Sequence, residues 1–410
     1  LGIPEEWAVN GNVSGTVEVD AVSGRLQRVD GGVSIARGFI QRSQAVLPWT
    51  QARARVQWRP ERVDLTQIEI EGDGLNLTGD AGIGGKPYEA FATRPFTASG
   101  KVRASSAKTV ASLAELLAFS DPVPGNWSVA GATLDFQARG MVGKVAEATA
   151  RGRFQASDLR LPTPGSPALL RINQVSGDVE RTGTHLEVRN IRATADGLTA
   201  RGDLVVTPER ENTPGTFSTQ GNVELTHLTT LRRQVPNARF WQWIAPALPN
   251  SRGEVRFQAK GATAAPQRLT GSGTFRFRNF VANLPSGVGT ERWQAPIHLV
   301  EGRVYMAGEK LSLKGVQLRS DLFQGTAEAS VTNLAREANV TGAVHLISER
   351  WQELPLLSGR VPKSLSGGVL RVDARLPASP TPRNRQVTGK ATLEGARYRL
   401  DFAGTSRAIP

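Results

Sequence analysis

The strongest constraint in this chain is that it repeats itself. Phe96-Thr-Ala-Ser-Gly100-Lys-Val102 returns as Phe217-Ser-Thr-Gln-Gly221-Asn-Val223, and more loosely as Ala338-Asn-Val-Thr-Gly342-Ala-Val344. The glycines step by 121 residues each time, from 100 to 221 to 342. The far end of the segment keeps the same step: Leu134-Asp-Phe-Gln-Ala-Arg-Gly140 matches Val255-Arg-Phe-Gln-Ala-Lys-Gly261, 121 residues on. A fixed period of this kind marks an array of supersecondary units rather than a set of unrelated domains.

Within the unit the periodicity is that of strands. From Ala132 to Arg139 the even positions are apolar (Ala132, Leu134, Phe136, Ala138) and the odd ones polar (Thr133, Asp135, Gln137, Arg139). The copy keeps the alternation in Val255, Phe257 and Ala259. This is the pattern of an antiparallel strand with one dry and one wet face. The alternation slips in two places. Phe154 and Ala156 are followed out of phase by Leu159 and Leu161, and Phe275 and Phe277 by Phe280. A three-residue step recurs at Leu65 to Ile68, Val188 to Ile191 and Leu313 to Val316. A slip of one flips a strand's faces, so the sequence predicts a bulge or kink at both places in the unit.

A short helix is expected over Ser106 to Phe119, capped by Ser105 or Ser106, with Val110, Leu113, Leu116 and Leu117 on one stripe and Pro122 stopping it. Equivalent inserts carry Trp241 and Trp243 in the next unit and Trp351 in the last, and are read as plugs of the apolar interior. The repeat divides the chain into a partial first unit (1–95), a second (96–206), a third with a longer helical insert (207–338) and a truncated fourth (339–410).

Chemistry-bearing motifs are absent. There is no cysteine, which excludes disulfides and thiolate sites. The four histidines, His185, His227, His298 and His345, stand singly and without metal-ligand spacing. Gly82-Ile-Gly-Gly-Lys86-Pro87 lacks the spacer and the Ser/Thr of a phosphate loop and reads as a turn. Glu71, Asp73 and Asp80 lack calcium-loop spacing and read as a hairpin turn around Gly74. No Gly-x-Ser-x-Gly elbow occurs, so no enzyme, cofactor or metal is expected. The net charge of +13 suits either an anionic partner or a solvated arginine-rich surface. The cations are scattered singly along strands, which argues against nucleic acid. The 43 glycines are taken as turn residues between many strands. No run of 18 apolar residues is present.

One-sided strands in a long meander need a cover for the dry face: a second sheet, closure into a barrel, or a ligand lying in an open trough. The apolar positions that would line it are Val129, Leu134, Phe136, Phe154, Leu159, Leu186, Val188, Val255, Phe257, Phe275, Phe277, Phe280, Leu311, Leu313, Leu370 and Val372.

The cassette of a Ser/Thr-Gly-x-Val strand, a short helix, a Gly-x-Val/Leu-x-Phe-x-Ala-Arg/Lys-Gly strand, and a pair ending in Leu-x-Leu/Val-x-x-Ile/Val and Leu198-Thr-Ala-Arg-Gly202 resembles the AsmA-like superfamily, with its TamB-like and YhdP-like members. The resemblance covers essentially the whole chain. It implies a mainly β fold: a long, twisted antiparallel sheet of repeated units, curled into an open apolar groove, with one short helix inserted per unit. It further implies a fragment of a periplasmic, inner-membrane-anchored bridge. That bridge would carry phospholipid between inner and outer membranes and contact membranes through other parts of the protein, or assist outer-membrane assembly proteins. The alternative from the residues alone is a structural or assembly-scaffold repeat protein with a closed core and no lipid.

Overall fold

The structure is a computed structural model. It describes residues 7–42, 45–85, 89–116, 127–162, 169–208, 214–226, 251–265, 268–285, 292–332, 339–354, 357, 361, 365–377 and 388–398. These are mainly strand: 22 strands, of which 20 belong to one antiparallel sheet that does not close on itself. The chain falls into two compact units, Leu1–Gly221 with Ala262–Ala264, and Asn222–Gly261 with Ala265–Pro410.

The first unit is an uninterrupted meander. Its strands are β1 (Trp7–Val22), β2 (Arg25–Arg42), β3 (Ala45–Arg59), β4 (Arg62–Gly72), β5 (Leu75–Gly84), β6 (Pro95–Ala104), β7 (Gly131–Met141), β8 (Thr149–Pro162), β9 (Leu169–Thr182), β10 (His185–Ala195) and β11 (Leu198–Thr207). Each pairs antiparallel with the next. Two-residue turns join many of them, and the chemistry of the turn allows it. At Ser23-Gly24 both residues have positive φ (51° and 73°), the mirror-image turn that matches strand twist. Asp73-Gly74 joins β4 to β5, as the acidic cluster around it predicts.

β12 (Thr216–Leu225) spans the division between the units. The second unit continues with β13 (Arg252–Ala262), β14 (Thr270–Pro285), β15 (Arg292–Ala307), β16 (Lys310–Ser320), β17 (Gln324–Thr332) and β18 (Asn339–Ser348). After these, β18 pairs with β20 (Val369–Leu376), and β20 with β21 (Thr388–Glu394). The short β19 (Leu365–Ser366) and β22 (Arg397–Tyr398) pair separately.

The described residues contain one α-helix, α1 (Ala107–Leu116). Ser106 is its cap: Oγ accepts the backbone N–H of Thr109 at 3.1 Å. Leu113 packs on the buried cluster of Ala45, Leu47, Leu75 and Val102, so the helix covers one patch of the sheet. The expected insert with Trp241 and Trp243 lies outside the described residues. The described residues of the last insert include a 3-10 turn, Trp351–Glu353. Trp351 is 2% exposed, and its Nε1–H donates to the Gly367 carbonyl at 3.0 Å, the buried plug the sequence suggests.

Both phase slips coincide with left-handed residues inside strands. Arg37, Asp158 and Asn279 have φ of 51°, 49° and 54° and stand 121 residues apart. Gln67, Asn190 and Gly315 form the second series, with φ of 53°, 54° and 57°. In that series β4 advances three residues, Leu65 to Ile68, while β5 advances two, Ala81 to Gly79. Val188 to Ile191 against Leu204 to Gly202, and Leu313 to Val316 against Ala329 to Ala327, repeat the step. The extra residue is a β-bulge that returns the apolar positions to the same face. The left-handed conformation is strained for a side chain, and a neighbouring carboxylate supports it. The N–H of Gln67 donates to Asp80 Oδ1 at 2.9 Å, and that of Asn190 to Asp203 Oδ1 at 3.0 Å. The third copy uses Gly315, which needs no such support.

Asp80→Ala removes the acceptor from the strained bulge and is expected to lower stability by about 1 kcal/mol in urea denaturation. Adding Gln67→Gly is expected to recover most of that loss, because glycine adopts the same φ without strain.

Candidate functional site

Following the register across strands, the apolar positions align into rows. In the first unit one row runs Val13, Ile35, Ala52, Ile70, Leu77, Val102, Leu134, Phe154, Gly177 through nine consecutive strands. Beside it runs Phe136, Gly152, Val179, Val188, Leu204. In the second unit two rows run Gly253, Phe277, Val300, Leu318, Gly325, Leu346, Val372, Ala391 and Phe257, Gly273, Val304, Leu313, Ala329, Gly342, Leu376.

The sixteen positions singled out in the sequence distribute over this face. Leu134, Phe136, Phe154, Val188, Phe257, Phe277, Leu313 and Val372 lie in the four rows. Val255 stands opposite Phe275, Leu186 opposite Val206, Leu311 opposite Val331 and Leu370 opposite Leu393. Leu159 and Phe280 lie beyond the kinks, opposite Ile172 and Ile297. Val129 precedes β7, is buried, and is not part of a row. The other fifteen are all of intermediate exposure. Among the described residues buried apolar side chains gather in two small clusters, Ala45, Leu47, Leu75 and Val102 under α1, and Ala295, Ile297 and Phe323 in the second unit.

Glycine shapes this face in a way the sequence does not announce. Six aromatic rings pack on the glycine directly opposite them on the neighbouring strand: Trp49 on Gly38, Phe96 on Gly140, Phe136 on Gly100, Phe154 on Gly177, Phe275 on Gly302 and Phe277 on Gly253. Each ring lies over its glycine, where a Cβ would meet it at 2.6–3.3 Å. The ring shields a backbone that has no side chain of its own, and the missing Cβ lets the ring lie down on the sheet. These glycines are strand residues, a correction to their reading as turn residues.

The opposite face is a lattice of paired charges. Lys101, Asp135, Arg153, Asp178 and Arg189 form one cross-strand row of alternating sign. Within it Lys101 lies 3.5 Å from Asp135, and Arg153 Nε donates to Asp178 Oδ1 at 2.9 Å. In the second unit Arg276 bridges to Glu301 at 2.7 Å. Hydrogen bonds from Arg55 and then Arg28 hold the Asp30 carboxyl down at about 2. The amide of Asn190 and the Arg153 guanidinium lower Asp178 in the same sense. Many cations of this basic chain are therefore neutralised in place.

Depressions of about 1180 Å³ beside Gln67 and about 770 Å³ beside Asn190 open on this polar face, lined by mixed charges. His298 and His345 pair with Asp321 and Asp373, and His185 contacts Thr207. His227 lies outside the described residues. Among the described residues no three metal-ligating side chains converge.

Gly177→Ala and Gly253→Ala would place a Cβ 2.8 Å and 2.6 Å from the Phe154 and Phe277 rings. Each is expected to destabilise by about 1–3 kcal/mol. Gly32→Ala meets nothing within 4 Å and is expected to stay within about 0.5 kcal/mol of the parent in the same denaturation experiment. Asp30 carries a pH signature. Its folded value, about 2, lies below its ordinary 3.8, so its contribution is present above about pH 4 and is lost as pH falls through 2. The stability gap between the parent and Asp30→Asn is expected to close over that window in a pH series.

Comparison with protein-family models, with curated proteins and with solved structures returns no match, so the functional reading rests on the geometry of the two faces.

Proposed function

We propose that the apolar rows line an open groove that holds the acyl chains of phospholipids. In this reading the chain is a conduit segment of a cell-envelope bridge, working in the periplasm between inner and outer membranes. One observation carries the reading: apolar rows run unbroken through as many as nine strands, yet most of their side chains remain half-exposed. A closed structural core would bury them. Apolar continuity on this scale is what an apolar ligand requires.

The magnitudes suit a lipid. At about 4.8 Å per strand, nine strands present a row on the order of 38 Å long. That is more than twice the roughly 15 Å that one acyl chain occupies in half of a bilayer core. Transfer of each CH₂ onto apolar surface contributes about 0.8 kcal/mol, so a 16-carbon chain gains on the order of 12 kcal/mol. Rings lying flat over glycines keep the floor low enough for a chain to rest along it. The chemistry is binding alone.

The expected result of native mass spectrometry, with lipid extraction of the same sample, is several phospholipids bound per chain. Phe136→Asp with Phe257→Asp is expected to abolish that occupancy while the far-ultraviolet signal of the sheet is unchanged. A bare mass that persists after incubation with liposomes would assign the chain instead to a closed structural or outer-membrane-assembly scaffold.

A further inference from the structure

A further row of the first unit crosses nine strands closer to the β9–β10 turn: Val56, Leu65, Ala81, Ala98, Ala138, Ala150, Arg181, Leu186, Val206. Directly paired residues point to the same side of a sheet, so Arg181 stands on the apolar face. Of the five rows now traced it is the one charged member. The acids nearest in sequence, Glu180 and Glu187, alternate to the polar face, where Glu187 pairs with Arg189 at 2.7 Å.

The repeat shows that the fold does not require a cation here. Val63, Leu186 and Leu311 each stand two residues before the start of a bulge step, and their partners are Trp58, Arg181 and Met306. Two copies are apolar and the middle one is charged. Arg181 is half-buried, and its Nε–H donates to the Gly183 carbonyl at 2.8 Å. Gly183 is left-handed (φ 60°) in the turn, so this bond holds the head of the side chain at the rim of the apolar face. Ala81, Ala98, Ala138 and Ala150 make a low strip that leads up to it.

An acyl chain lying on this face takes water away from it, and a cation beneath the chain then favours an anion in contact. The phosphate of a phospholipid is such an anion, and it sits at the polar end of the tails. Its oxygens match the planar fork of arginine in a bidentate pair. A guanidinium carries five donors, so the turn carbonyl and a phosphate can be held together. We propose that Arg181 binds the phosphate of a phospholipid whose tails lie on the rows, which sets the headgroup at the β9–β10 rim. The inference rests on the acyl-binding reading above, and adds that the face selects phosphate-bearing lipids over uncharged ones.

The test incubates the whole chain with mixed vesicles of phosphatidylglycerol and diacylglycerol bearing the same acyl chains, and counts each bound lipid by native mass spectrometry. The ratio of phosphatidylglycerol to diacylglycerol is expected to be about tenfold higher on the parent than on R181M, which installs the residue of the third copy. R181K is expected to keep part of the preference. In the parent, modification of Arg181 by phenylglyoxal is expected to slow with the vesicles and not with inorganic phosphate alone. Equal ratios on parent and R181M, with lipid bound to both, would overturn the proposal and leave the acyl-binding reading standing. Absence of lipid from both would overturn the two together. Equal slowing by inorganic phosphate would assign Arg181 to a free anion and overturn the headgroup site without reference to any variant.

Discussion

A sheet with one apolar and one charged face can extend through many strands only if each strand keeps its phase. Side chains alternate with a period of two, so a single unmatched residue would carry every later apolar group to the charged side. The bulges at Gln67, Asn190 and Gly315 absorb the odd residue. Without them Ile68, Ile191 and Val316 would point the wrong way. The carboxylates of Asp80 and Asp203 support the two copies in which the strained position is not glycine. The apolar rows and the alternating charge rows are both consequences of that phase keeping.

The two faces solve different problems. On the polar face, Arg153, Arg276 and several neighbours find acids on adjacent strands, so part of a strongly basic composition is compensated in place. Exposed pairs of this kind contribute little each, and their geometry says more about register than about stability. On the apolar face, buried clusters are small and local, under α1 and around Phe323, and most of the row residues are left half-covered. That imbalance is why the proposed function is placed on the apolar face rather than in a pocket.

Much of this was legible in the sequence because it is local. Alternation in 132–139 gave the strand and its faces, and the three-residue steps at Leu65, Val188 and Leu313 gave the bulges, since both patterns lie within a few residues. Ser106 as a cap and Asp73-Gly74 as a turn are equally local. What escaped depends on pairing. Phe154 meets Gly177 and Phe275 meets Gly302 only once the register is known, so strand glycines passed for turn glycines. Arg153 and Asp178 look like scattered charges until the hairpin brings them together. The place of Trp351 is likewise a tertiary outcome: it sits in a 3-10 turn held by an indole hydrogen bond and its burial.

The two series of left-handed residues also record how such a chain can lengthen. From the first to the second in each repeat the separation is 30, 32 and 36 residues: Arg37 to Gln67, Asp158 to Asn190, Asn279 to Gly315. The increments are even. A hairpin gains length without losing register only when each arm receives one residue, so growth there comes in pairs. Single insertions are tolerable at the turns or in the inserts, and a single deletion at Gln67 would invert a strand. In this architecture the grammar of insertion and deletion is stricter than that of substitution. Divergence should therefore accumulate as changed side chains and paired extensions, with the parity of the strands as the inherited trait.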